Sequence, residues 1–290
     1  MFGAQTDETT SKRIIDKAAD QGVNFIDTAD VYGNGASEEV VGRSLGDKRD
    51  SWVLATKLAN AMGDDPNRGQ LGRKWVMRAC EESLARLGTD YIDIYYLHKE
   101  DIGTPLEETI SAIGDLMQAG KIRYFGLSNY RAWRVAEVVR VCEALGVNRP
   151  VVSQPYYNAL NRMPEIEHLP ACDHYGLGVV PYSPLARGVL TGKYGPKDLE
   201  APGDNTRAGR SDPRMMQTEW RLESLEIAQK LLAHCEAKGA KLTHFAMGWV
   251  LNNALVTAPI GGPRTEEQWD VYIAALDYEF TAEDEALLND

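Results

Sequence analysis

Short runs of β-branched, aromatic and aliphatic residues recur along the chain at 23–27, 52–57, 91–97, 122–127, 151–154, 178–182 and 256–260, each bounded by polar or turn-forming positions. They read as seven β-strands. Between them lie amphipathic segments with apolar positions at helical spacing, over residues 8–21, 37–45, 73–87, 106–119, 132–145, 219–238, 243–251 and 265–275. Strands alternating with helices predict a parallel sheet, because parallel neighbours need crossover connections. Runs such as "YIDIYYL" and "GVVPY" are apolar on both faces, as strands covered by helices are. No GxGxxG follows the first run, so a closed barrel fits better than an open dinucleotide-binding sheet.

The expected fold is therefore α/β, a (β/α)8 TIM barrel in a single domain over residues 1–290, with seven of its strands recognisable. The chain enters a helix almost at once, with Thr6 or Asp7 as N-cap and Glu8 in the first turn. That leaves the first barrel strand missing from the pattern, and an unclosed barrel has unpaired edges. The one long irregular stretch, 195–216, reads as a functional loop inserted after a strand.

Composition changes the picture mainly by exclusion. A chain of 290 residues with 43% hydrophobic content can bury a large core. Its formal charge of -12 argues against nucleic acid and anionic membranes as partners, which need clustered Lys and Arg, and leaves small molecules. No apolar run approaches the roughly 20 residues of a membrane span, and "MFGAQTDETT" lacks the features of a signal peptide, so a cytoplasmic location is expected. Four cysteines without a CxxC pair read as reduced thiols, and five histidines without HxxxH spacing suggest no metal site.

In a βα barrel, catalytic groups stand at the C-terminal ends of strands. Three runs finish in ionisable residues: "VNFID" in Asp27, "WVLATK" in Lys57 and "YIDIYYLH" in His98. Tyr32, in the glycine-flanked loop after Asp27, can reach the same rim. Tyrosine is a weak acid at neutral pH, but a neighbouring ammonium stabilises a phenolate. Lys57 can be that ammonium, Asp27 can hold it charged in a dry site, and His98 can hydrogen-bond a substrate oxygen. Taken singly, each has a plainer role: Asp27 a turn cap, Lys57 a snorkelling strand end, His98 a structural histidine, Tyr32 a loop aromatic. Their placement at equivalent strand ends is what favours chemistry.

These residues resemble the aldo-keto reductases over nearly the whole chain. "GVNFIDTADVYGNGASEEVVGRSL" is similar to that family's first signature, "VLATK" to its lysine strand, "SLARLGTDYIDIYYLH" to its histidine strand, and "GKIRYFGLSNY" to its fifth strand and following turn. The resemblance implies a tetrad of Asp27, Tyr32, Lys57 and His98, with Tyr32 as general acid in carbonyl reduction and general base in reverse. It implies NADP(H) as cofactor, held without a Rossmann fold.

By the same resemblance, Ser128, Asn129 and Gln154 would hydrogen-bond the nicotinamide carboxamide. Tyr182, Ser183 and Leu185 in "VVPYSPLARGVLTGKY" would supply the stacking aromatic and the loop beside it. In "PIGGPRTEEQW", Gly262 would permit close backbone approach, Arg264 would face the 2′-phosphate and Gln268 the adenosine. Tyr272 stands where the family's motif usually has an asparagine. Against the family's pattern, the first barrel strand and the short hairpin before it are expected to be absent apart from a tail, Met1-Phe2-Gly3, and "FTAEDEALLND", which reads as a last helix, implies that the usual tail over the pocket is short or missing. The expected activity is reversible NADPH-dependent reduction of an aldehyde or ketone. The contrasting expectations are a cofactor-binding regulatory protein on the same barrel, as in potassium-channel β-subunits, and an inactive form truncated at its N-terminus.

Overall fold

The computed structural model describes residues 2–204 and 206–289; Met1, in the expected hairpin tail, and Asn205, in the 195–216 loop, lie outside them. Contacts divide the chain into two compact units. The first comprises Met1–Pro155, Glu167–Val179 and Gly262–Trp269, the second Tyr156–Ile166, Val180–Gly261 and Asp270–Asp290.

The first unit opens with α1 (Glu8–Asp20), whose N-cap is Asp7: its carboxylate accepts the Thr10 backbone N–H at 2.9 Å. Strand and helix then alternate as β1 (Phe25–Asp27), α2 (Ala36–Leu45), β2 (Val53–Leu58), α3 (Arg73–Leu87), β3 (Ile92–Leu97) and α4 (Leu106–Gln118). There follow β4 (Ile122–Ser128), α5 (Ala132–Leu145), β5 (Val152–Gln154), α6 (His168–Tyr175) and β6 (Gly178–Val179). All six strands are parallel and lie in sequence order, β1 to β6. A doubly wound sheet reverses its order at a switch point. This one does not, which agrees with the barrel-type winding expected from the sequence.

Consecutive helices from α1 to α6 pack side by side in the same order as the strands. Leu54, Ile92, Leu97, Phe125 and Leu127 on the strands, and Val41, Val76, Ile110, Ile113 and Val138 on the helices, are fully buried. Each contributes about 1.5–3 kcal/mol of apolar burial. Helices α2 and α3 approach so closely at Gly42 that a Cβ there would lie 2.3 Å from the Leu87 carbonyl oxygen. No larger residue fits that contact without moving a helix.

In the second unit, α8 (Leu222–Ala237) and α9 (Leu242–Asn252) pack together and bury Leu225, Ala228, Phe245 and Val250, with α7 (Pro213–Thr218) before them in the chain and α11 (Ala282–Asn289) after. Buried Asp284 accepts from His234 Nε2 at 2.7 Å and Lys238 Nζ at 2.6 Å. α10 (Glu266–Ala274) begins in the first unit. Within the 195–216 stretch, α7 starts at Pro213 after Asp212, whose carboxylate accepts the Met215 N–H at 3.0 Å.

Two strand expectations need correction. The seventh strand, 256–260, is not formed: Ile260 N–H donates to Pro181 O at 2.9 Å, but the segment is not assigned as strand, and Pro259 has no N–H to donate. The sixth is shorter than 178–182, with only a single parallel bridge pairing Tyr156 with Tyr182 beyond it. Among the described residues the sheet thus has six strands rather than seven.

All four cysteines are free and buried. Burial pushes the Cys80 and Cys142 thiols up to about 12, and those of Cys172 and Cys235 up to about 11. Among the described residues no helix is long and apolar enough to cross a membrane, and no group of three His, Cys, Asp or Glu side chains is placed to hold a metal ion.

Candidate active site

Asp27 closes β1, Lys57 stands next to last in β2, and His98 follows β3 directly. Parallel register carries them to one end of the sheet: Asp27 is level with Ala55, Lys57 with Tyr96, and His98 N–H donates to Leu58 O at 2.9 Å. The three ionisable strand ends therefore come together across about 70 residues of sequence, as parallel winding requires.

Lys57 is fully buried. Its ammonium donates to Asp27 Oδ1 and, at 2.7 Å, to Thr28 O, and lies 5.1 Å from the centroid of the Tyr32 ring. Burial works against the charged form, but the Asp27 carboxylate and then Tyr32 outweigh it, and the lysine stays above its ordinary value. The Tyr32 and His98 rings meet edge to face at 5.9 Å. Tyr32 is brought there by a loop in which Gly33, Asn34 and Gly35 are all left-handed, with φ of 60°, 52° and 95°. Glycine accepts that conformation without strain, and asparagine tolerates it. Thr28 Oγ1 to Ser37 Oγ at 2.9 Å and Ser37 N–H to Tyr32 O at 3.2 Å hold the loop to the start of α2.

A continuous hydrogen-bond chain links these groups to three further expected residues. Gln154, at the end of β5, donates one of its two amide protons to Asp27 Oδ2 at 2.9 Å. Its backbone carbonyl accepts from Ser128 Oγ at 2.9 Å. Asn129, left-handed at φ 59°, donates from Nδ2 to Ser128 Oγ at 3.1 Å and to His98 O at 2.8 Å. Asp27, Tyr32, Lys57, His98, Ser128, Asn129 and Gln154 thus form one cluster within the first unit.

Gly262, Arg264 and Gln268 lie in the first unit's last segment, packed on α1 through Thr6 Oγ1 to Arg264 O at 3.4 Å, Arg13 to Glu266 at 2.9 Å and Trp269 Nε1 to Gln21 Oε1 at 2.6 Å. Thr265 precedes α10 and accepts the Gln268 N–H at 3.2 Å, while Gln268 Oε1 accepts the Arg264 N–H at 2.9 Å. This reciprocal cap spends part of the Gln268 side chain on the helix start. A Cβ placed on Gly262 would meet nothing within 4 Å, so the backbone there borders open space.

In the second unit, Tyr182 packs against Tyr156 at 5.5 Å and begins a loop of strained turns: Ser183, Ala186 and Arg187 have φ of 57°, 46° and 52°. Leu185 O accepts the Gly188 N–H at 2.8 Å, and Asn158 Nδ2 holds Ser183 O at 3.1 Å. Arg187 is anchored to buried Glu219 at 3.1 Å.

Two groups beside the lysine and histidine escape a reading of the sequence. Asn60 presents Nδ2 to His98 Nδ1 at 3.0 Å. Asp30 is fully buried, with Oδ1 accepting the Val31 N–H at 2.6 Å and Oδ2 without a hydrogen-bond partner. Burial, with the Glu38 carboxylate next, pushes the Asp30 carboxyl up to about 7. Glu38 itself is fully buried and takes Arg86 Nε at 2.6 Å and Thr56 Oγ1 at 2.5 Å. A charged residue on the apolar side of α2, and a second Asp in "DTAD", were the available signals.

Residues 1–290 match the family model described as the aldo/keto reductase family. The chain is 37% identical over 301 residues to an uncharacterized oxidoreductase, YrpG, of Bacillus subtilis, covering 100% of the chain and 89% of that protein. It is 36% identical over 280 residues to a probable voltage-gated potassium channel subunit beta of Oryza sativa, covering 95% and 84%. It is 32% identical over 285 residues to the L-glyceraldehyde 3-phosphate reductase of Escherichia coli K12, covering 95% and 81%.

Proposed function

The chain belongs to the aldo/keto reductase family and is an oxidoreductase enzyme, and from that premise we propose that it reduces an aldehyde or ketone with NADPH, Tyr32 giving the proton. The observation that carries this reading is the buried Lys57 ammonium, fixed by Asp27 and 5.1 Å from the Tyr32 ring. A positive charge held in a dry site stabilises the phenolate left when a tyrosine donates. His98, edge-on to Tyr32, would hydrogen-bond the carbonyl oxygen as negative charge builds on it. In reverse, the same groups would take the proton from an alcohol.

The residues present suit a dinucleotide. Gln154, Ser128 and Asn129 match the donors and acceptors of a carboxamide, and the flat ring of Tyr182 suits an aromatic ligand. The N–H groups opening α10, with Arg264 beside them and open space before Gly262, suit an adenosine phosphate. When bound, the nicotinamide would supply the hydride. Ser183, Leu185 and Gln268 complete the proposed cofactor contacts. The fold that goes with this reading is one (β/α)8 barrel domain over residues 1–290, and the protein a cytoplasmic enzyme of small molecules.

The test is Tyr32→Phe, followed by NADPH oxidation against a panel of aldehydes, sugars and ketones and by NADPH binding. Turnover should fall by at least about 100-fold with binding retained. A variant with near-normal rates would remove Tyr32 as the acid.

A further inference from the structure

The turn after β2 has a conformation that alanine rarely adopts. Ala59, fully buried, has φ of 111°. That region is essentially closed to residues with a Cβ and persists only where the surroundings hold it. Gln70 N–H donating to Ala59 O at 2.9 Å helps hold it. The effect of the turn falls on the next residue: Asn60 leaves the strand direction and brings its amide to His98, with Nδ2 3.0 Å from Nδ1.

We propose that Asn60 is a positioning residue that fixes the tautomer of His98, keeping Nδ1 as an acceptor and the single ring hydrogen on Nε2. An amide nitrogen has only protons to offer, and a neutral imidazole has one accepting nitrogen. With Nδ1 committed to Asn60, the hydrogen must sit on Nε2. A second ring proton, at Nδ1, would face the N–H of the amide and break the contact. The backbone of His98 is tied on both sides, N–H to Leu58 O at 2.9 Å and carbonyl from Asn129 Nδ2 at 2.8 Å, and the Asn60 bond adds a direct tie on the ring.

This rests on the proposed reduction and deepens it. A neutral His98 holding hydrogen at Nε2 can donate a hydrogen bond to the carbonyl oxygen without delivering a proton, which leaves proton transfer to Tyr32. An Nδ1–H tautomer would offer the oxygen a lone pair and repel it.

The tautomer is read by long-range proton–nitrogen NMR on the 15N-histidine-labelled protein, whose five histidines are resolved by omitting one with His98→Asn. Wild-type His98 should show a protonated Nε2 and an unprotonated Nδ1 at neutral pH. Asn60→Asp, whose carboxylate only accepts, should move the hydrogen to Nδ1. It should also lower kcat about 10- to 100-fold, with the NADPH dissociation constant unchanged. Asn60→Ala should give a mixture of tautomers and a smaller loss. A wild-type Nδ1–H signal, or an Asn60→Asp spectrum identical to wild type, overturns the proposal, and the first needs no variant to fold. The NMR readout uses neither substrate nor turnover, so the tautomer assignment and the Tyr32→Phe result can each fail without the other.

Discussion

A carboxyl buried without a full set of partners has to answer to pH. Asp30 is such a group, with its folded-state value near 7 against an ordinary 3.8. Its proton is bound more tightly in the folded chain than in the unfolded one. Its favourable contribution is therefore complete below about 3.8, declines as pH rises towards 7, and is gone above that. Asp30→Asn should stabilise the protein at pH 8 relative to wild type, on the order of 1–3 kcal/mol, and by much less at pH 4. Urea unfolding at the two pH values checks it; a pH-independent difference would show that Asp30 is ionised throughout. That Asp27, Lys57 and His98 come to one end of the sheet was legible in the sequence, because each ends a strongly apolar run. Asp30 and Asn60 were not, since one depends on what packs beside it and the other on the Ala59 turn, and neither leaves a periodic trace.

At the scale of elements, legibility followed the strength of the pattern. α3 and α5 begin and end where their amphipathic runs do. α6, over "HLPACDHY", has too few turns and too little periodicity to declare itself. The 256–260 run looked like a strand by composition, but Pro259 denies it a ladder. Some element contacts depend on a single missing atom, and Gly42 between α2 and α3 is the clearest. Gly42→Ala should cost about 1–3 kcal/mol, because a Cβ 2.3 Å from the Leu87 carbonyl oxygen forces the helices apart. Since α2 also anchors the Tyr32 loop through Ser37, kcat should fall together with the denaturation midpoint. Loss of stability at full kcat would mean that α2 can shift without dragging the loop.

For the molecule as a whole, the class of chemistry was easier to read from the chain than the closure of the sheet. The charge of -12 and the spread of family-like motifs along the chain pointed to a small-molecule oxidoreductase, and the family membership bears out the oxidoreductase. Strand number depended on short segments, which local pattern reads poorly. The buried thiols give the whole chain one further property: it carries its own opening meter. Cys80, Cys142 and Cys172 belong to the first unit and Cys235 to the second, and burial holds all four in the unreactive protonated form. Under native conditions iodoacetamide should label none of them. In rising urea, mass spectrometry of the labelled peptides should report, cysteine by cysteine, which unit opens first and whether the two unfold in one step.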